Sequence, residues 1–342
     1  MQKQTNSFKN AEIELYRVLM IFSIAILHFS EDYMGTSGIL PGGYLGVDFC
    51  FIISGYFLMC HFEKEYVNEK SAVLNTIKYF VGRTKKLYPP YLLAVLGMTI
   101  ITWGINGFGI KRLLINLWDT RWQYLFLHFL GASTGFSMRS IWYMSSFMIL
   151  SYLIYFLLSY NQELYMGIAP IISILLLVFI SRTYGSLSMQ GEYIVFFNGG
   201  FIRGFSDMTI GVFIRKLACL DLLKTKSKRG GQCIHLLTRI SSWIIVFYII
   251  KFKGFDGTDF SVLPAMAMLI FLSVKYPLNF YRTKKVWIFL GQISYWFFLI
   301  HLLVSTLMQH FFAGNNYYIM LVIYLIITIT VSALLNSFFQ KN

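Results

Sequence analysis

An all-α polytopic membrane fold of about ten helices is predicted for this chain by three observations. Of 342 residues, 57% are hydrophobic and 13% charged, where a soluble globular chain carries about 25% charged residues. Apolar windows of bilayer-spanning length recur along the whole sequence. Lys and Arg concentrate in alternate connections, the asymmetry that orients membrane helices. Phe, Tyr and Trp number 33, 23 and 7, in keeping with aromatic belts at both interfaces. The net charge of +14 would suggest nucleic acid on a soluble protein; here basic cytoplasmic loops account for it.

The windows run 13–30, 44–62, 87–106, 140–160, 165–181, 193–214, 236–252, 260–275, 286–307 and 318–339. Segment 122–134 is also apolar, but about 13 residues are too few to cross comfortably. Loop 62–86 carries Lys64, Lys70, Lys78, Arg83, Lys85 and Lys86, and loop 215–239 carries Arg215, Lys216, Lys224, Lys226, Lys228, Arg229 and Arg239. Both are expected in the cytoplasm, so an even number of crossings separates them. Four windows lie between them without 122–134 and five with it. That segment is therefore expected to be re-entrant or interfacial. Lys3 and Lys9, loop 275–285 and Lys341 put both termini on the cytoplasmic side. Of 29 Lys and Arg, 20 then fall inside and seven outside, and Arg17 and Arg203 lie within spans.

The first apolar run lacks a small-residue cleavage site, so it is read as a permanent span. One membrane domain over 1–342 is expected, without a soluble domain or internal repeat. Cys50 and Cys60 fall in a span, Cys219 and Cys233 in a basic loop. None has metal-site spacing, and no metal is expected.

Charged groups inside spans mark function, because each costs at least about 2.5–3.5 kcal/mol in hydrocarbon. Arg17 and His28 share the first span. Eleven positions put them on one helix face, about 16 Å apart along the axis. Arg17 stays charged and needs an anion, either a carboxylate such as Glu12 or Glu14 or a ligand phosphate. His28 can accept a proton near neutral pH; the alternative is a packed histidine bonded to a neighbouring helix. Asp48, just inside the second span, either hydrogen-bonds His28 or caps its own helix. Glu31 and Asp32 are alternative partners of His28, read as solvated. Arg203 and Asp207, four apart on the sixth span, are expected to pair with each other, or Arg203 holds a substrate. His301, in the outer half of the ninth span, either joins an acceptor site or bonds a neighbouring helix. His128 is read as interfacial.

The order of motifs resembles the acyltransferase-3 family of integral membrane O-acyltransferases. Arg17 and His28 match its Arg and His separated by ten residues. Gly42-Gly43-Tyr44-Leu45-Gly46-Val47-Asp48-Phe49-Cys50-Phe51-Ile52-Ile53-Ser54-Gly55-Tyr56-Phe57 is similar to its glycine-rich string. Arg83-Thr84-Lys85-Lys86-Leu87-Tyr88-Pro89 resembles its Arg-x-x-Arg-aliphatic-x-Pro element, with Lys86 for the second Arg. Ser294-Tyr295 through His301 resembles its late Ser-Tyr…His pattern. Arg139 to Ser145, with Trp142, is similar to its His-x-Trp-x-Leu-Ser segment but lacks the usual Glu.

The resemblance implies transfer of an acyl group, usually acetyl from acetyl-CoA, to a hydroxyl of a cell-envelope polysaccharide or its lipid-linked precursor, at the inner or plasma membrane. No bound cofactor is implied; acyl-CoA is a substrate. His28 is the implied catalytic group; Asp48, at a similar depth, is the candidate partner read from the spans. Arg17, Arg83 and Lys86 are on the acyl-CoA side. Trp142, Arg203, Ser294, Tyr295 and His301 are the candidates for contact with substrate. His28 acts as general base or forms an acyl-imidazole. The competing class is a transporter or flippase for an anionic lipid-linked saccharide, using Arg17, Arg203 and Asp207 as a polar path.

Overall fold

In a computed structural model the chain folds as a helical bundle, with residues 10–66, 71–127, 141–188, 193–194, 197–220, 229–278, 280 and 282–341 described. The helices are α1 (Ala11–Met34), α2 (Gly46–Glu65), α3 (Ala72–Ile105), α4 (Ile110–Asp119), α5 (Arg121–Tyr124), α6 (Ile141–Tyr160), α7 (Gln162–Tyr184), α8 (Gly199–Cys219), α9 (Arg229–Phe252), α10 (Val262–Lys275), α11 (Lys284–Phe312) and α12 (Tyr317–Lys341). A two-residue antiparallel ladder, Tyr193–Ile194 (β1) with Phe197–Asn198 (β2), precedes α8. Nine helices among the described residues are long and apolar enough to cross a membrane. The remaining long helix, α8, is the most polar because it carries Arg203, Asp207, Arg215 and Lys216; it occupies the window read as 193–214.

The stretch read as loop 62–86 is mostly helix. α3 has 34 residues, about 51 Å, against about 30 Å of hydrocarbon. Its cationic first half therefore extends the span beyond the apolar zone. Ser71 caps the first turn by accepting from the Leu74 amide, and nothing breaks the helix before Pro89 and Pro90. Prolines inside a span are tolerated where neighbouring helices satisfy the freed backbone groups.

α1 and α2 are central. One apolar core joins α1 and α2 to α3, α6, α11 and α12; a second joins them to α8, α9 and α10. α1 and α11 run parallel in constant register. Arg17 meets Gly291, Phe22 stacks on Phe297, His28 on His301, and Asp32 accepts from Ser305. Two parallel spans are separated by an odd number of crossings. Seven lie between these two (α2, α3, α6, α7, α8, α9 and α10); a further crossing at 122–134 would make them antiparallel. Residues 121–127 instead fold back along α3. Tyr91 donates to the Gln123 carbonyl at 2.6 Å, Tyr88 to the Tyr124 carbonyl at 2.9 Å, and the Thr99 and Tyr124 hydroxyls lie 2.8 Å apart. Residues 121–127 thus lie against α3. The rest of segment 122–134, with His128, lies outside the described residues.

Orientation can be measured directly. A cysteine replacing exposed Lys111 on α4 should react with a membrane-impermeant maleimide added outside intact cells. Exposed Cys219 should react only after permeabilisation. Outside labelling of Cys219 would overturn the cytoplasmic assignment of the basic loops.

Candidate active site

Asn10 caps α1 by accepting from the Glu12 amide at 2.9 Å, and Glu12 itself is fully buried. It forms an ion pair with Arg239 (2.7 Å) and accepts from Tyr16 (2.6 Å) and the Leu278 amide (2.8 Å), which pins the N-terminal end of α1 to α9. Glu14, one of the two expected carboxylates, takes Arg17. The guanidinium also donates to the Gly291 carbonyl at 2.8 Å. That geometry ties α1 to α11 and leaves Arg17 partly exposed, with 26% of its side-chain surface open.

Three turns outward, His28 is buried at 7% exposure and His301 at 1%. Their rings stack with centroids 5.5 Å apart and planes 26° apart. His28 Nδ1 lies 3.2 Å from Glu31 Oε2. His301 Nδ1 lies 2.6 Å from the Phe298 carbonyl, one turn back on its own helix. Hydrogen bonds of this kind set the tautomer, with the proton on Nδ1 and the lone pair on Nε2. Glu31 was read as solvated. It reaches His28 because α1 continues to Met34, which puts positions 28 and 31 on one helix face.

The expected Asp48–His28 contact is not formed. The connection after α1 turns inward instead of ending at the depth of His28. A 3₁₀ turn, Gly43–Leu45, seats against α1, and α2 starts there. A Cβ on Gly43 would lie 2.3 Å from the Ser23 carbonyl, and one on Gly46 2.4 Å from that of Met20. Glycines at these positions let the two backbones touch. α2 thus starts about 12 Å below His28 along α1, and Asp48 is deeper still.

Asp48 is bound by Arg203. Nε and one terminal nitrogen of the guanidinium both donate to its carboxylate. Arg203 also donates to the Leu187 carbonyl (2.9 Å) and the Tyr44 carbonyl (3.2 Å). The expected Arg203–Asp207 pair is accordingly replaced by an interhelical one. α2 and α8 approach to backbone contact: a Cβ on Gly55 would lie 2.0 Å from the Met208 carbonyl and one on Gly211 1.9 Å from that of Ile52. Small residues permit such crossings in membranes, and this one brings the carboxylate of α2 to the arginine fork. Asp207 is buried one turn further on. Asp259 was missed in sequence. It is buried and accepts from Tyr44 (2.8 Å), Ser186 (2.8 Å) and the Leu187 amide (2.6 Å), clamping the connections that follow α1, α7 and α9 together beside the Arg203–Asp48 pair.

The other candidates make helix contacts. Ser294 donates to the Gly291 carbonyl at 2.7 Å. Tyr295 donates to the Leu87 carbonyl at 2.7 Å, joining α11 to α3. Trp142 is buried against Gly200 and 6.2 Å from the Phe51 ring.

In the N-terminal half of α3, Arg83 and Lys86 face a cavity of about 290 Å³, lined also by His61, Glu65, Asn75, Lys78, Tyr79, Gly82 and Tyr155. Tyr79 and Tyr155 stack 4.2 Å apart at 7°. Arg83 donates to the Tyr79 hydroxyl at 2.9 Å and lies 4.5 Å from the centre of the Phe147 ring. Lys78 and the aromatic wall were not singled out in sequence. The signal was the spacing 75, 78, 79, 82, 83, 86, one face of a helix, hidden while the stretch was read as loop.

Residues 10–337 match the model of a protein family described as an acyltransferase domain. Proteins named "Putative O-acetyltransferase" from Staphylococcus aureus strains COL and MW2 are each 24% identical over 327 residues, covering 88% of this chain and 51% of their own length. The chain thus spans about half the length of these curated relatives. No solved structure matches it.

Proposed function

The chain belongs to the acyltransferase-3 family, and from that premise we propose that it is a membrane O-acyltransferase moving an acyl group, acetyl in the simplest case, from acyl-CoA to a hydroxyl of a cell-surface polysaccharide or its lipid-linked precursor. The observation that carries this reading is the His28–His301 pair held in the α1–α11 seam, in a bundle whose inner end has a cationic, aromatic-walled cavity. The proposed setting is the cell membrane, with the basic loops in the cytoplasm, where acyl-CoA is found.

Coenzyme A presents phosphates and a flat base. Arg83, Lys86 and Lys78 suit the phosphates, and the tyrosine wall suits the base. The thioester arm then reaches between the helices toward the histidines. His28, with Nδ1–H held by Glu31, offers Nε2 to the acceptor hydroxyl. As the oxygen attacks the thioester carbonyl, its proton passes to Nε2; the carbon–sulfur bond then breaks and the thiolate is protonated. Arg17, bound to Glu14 and to the Gly291 carbonyl, has an anion already, so its proposed role is to brace the seam beside the donor. The competing transport reading needs Arg203 along an open polar path, but Arg203 is closed on Asp48.

Release of free thiol from acetyl-CoA by the purified protein in nanodiscs tests the reading. Arg83→Gln and Lys86→Gln should each raise the apparent KM for acetyl-CoA about tenfold, a loss of roughly 1.4 kcal/mol for a charge-assisted contact. The effect should weaken with salt, since the cavity opens to water. No thiol release by the wild-type chain sinks the acyltransferase reading; release with an unchanged KM in both variants moves the donor elsewhere.

A further inference from the structure

We propose that His301 is the second proton carrier of the reaction, acting as the acid that protonates the departing thiolate while His28 acts as the base. This rests on the acyltransferase reading above and goes beyond it by giving a chemical task to a residue that the sequence offered only as a substrate or helix contact.

The observations are geometric. The two imidazoles stack 5.5 Å apart in a seam whose register is set on both sides of them. Arg17 bonds Gly291 on the inner side, and Asp32 accepts from Ser305 at 2.7 Å on the outer side. Neither ring can drift along its neighbour without breaking these ties. Each ring is also fixed in rotation through Nδ1, His28 by Glu31 and His301 by the Phe298 carbonyl. With the proton on Nδ1 in both, Nε2 is the nitrogen of each ring that exchanges a proton. A packing histidine needs one anchored nitrogen; two facing rings anchored through the same nitrogen make a matched pair.

Two imidazolium charges at this separation, both out of water, repel strongly. The proposed reaction therefore uses the pair with one added proton between them. That is the composition acyl transfer to a hydroxyl needs, one neutral base and one charged acid. The acceptor oxygen forms its bond to the carbonyl carbon as its proton passes to His28 Nε2. The carbon–sulfur bond breaks as His301 Nε2 gives its proton to sulfur. His28 then gives its proton to water that enters as the products leave, His301 takes one up from the same water, and the pair is reset. Nothing is consumed beyond the acyl donor and the hydroxyl, and the products are the ester and the free thiol.

The test uses the full chain in nanodiscs with acetyl-CoA as donor and water as acceptor, following free thiol. His301→Asn keeps an amide able to donate to the Phe298 carbonyl but cannot carry a proton. It should lower kcat by roughly 10²-fold and leave KM unchanged. His301→Gly leaves a ring-sized gap, and added imidazole should restore its turnover while leaving His301→Asn unrestored. Turnover of His301→Asn at the wild-type rate, or a deficit in His301→Gly that imidazole leaves untouched, overturns the proposal. A wild-type chain that releases no thiol overturns it together with the acyltransferase reading; wild-type release with undisturbed His301 variants overturns it alone.

Discussion

His28→Ala should lower acyl transfer by roughly 10²–10⁴-fold, the usual contribution of a positioned general base, while the protein inserts and purifies as the wild type does. The reason is that no neighbouring group can replace it. Glu31 is bound to His28 Nδ1 at 3.2 Å, on the side of the ring away from Nε2. Asp48 is held by Arg203 about 12 Å or more further in. His301 is tied to the Phe298 carbonyl and approaches only the face of the ring. Alanine leaves a gap beside His301 but breaks no tie that holds α1 to α11, since Arg17–Gly291 and Asp32–Ser305 remain. The measurement is transfer from radiolabelled acetyl-CoA into envelope glycan, compared at equal amounts of folded protein. Near-wild-type transfer by a well-inserted His28→Ala protein would remove His28 from the chemistry.

Arg203→Met should destabilise the protein by about 3–5 kcal/mol, because it strands Asp48 as an unpaired carboxylate in the interior. Both side chains are essentially inaccessible, at 2% and 0% exposure, so water cannot compensate. Asp207 on the next turn of α8 adds a second buried acid to the same region. Replacing both partners at once, Arg203→Met with Asp48→Leu, should recover most of the loss, since an apolar pair of similar size needs no desolvation. Unfolding of the three proteins in mixed micelles, followed by helicity, gives the comparison. If the single and double variants unfold alike, the pair is not what holds α2 to α8.

The sequence was most legible where a feature depends on local composition. Apolar windows mark the spans because hydrocarbon selects for them residue by residue, and the two basic loops constrained the crossing parity that the parallel α1–α11 seam displays. Arg17 and His28 were legible as neighbours on one helix face because their spacing is a property of the helix itself. α3 was less legible: a cationic helix outside the membrane has no apolar signature, so its first half read as loop and the cavity-facing set from Asn75 to Lys86 stayed hidden.

Partner choice belongs to a different level. Depth counted from the ends of two spans placed Asp48 beside His28, and i,i+4 spacing placed Arg203 beside Asp207. Both inferences assume that helices start level and that a charge takes its nearest neighbour in sequence. Gly43 and Gly46 let α2 begin partway down α1, and Gly55 and Gly211 let α8 cross α2 in backbone contact. That crossing gave Arg203 a carboxylate it could grip with two nitrogens. The sequence by itself determined the membrane class, the course of the spans and which ionisable groups lie within them. Only the tertiary structure decided which of them meet, because a buried charge takes the partner that helix packing delivers in good geometry, and packing depends on contacts between residues far apart in the chain.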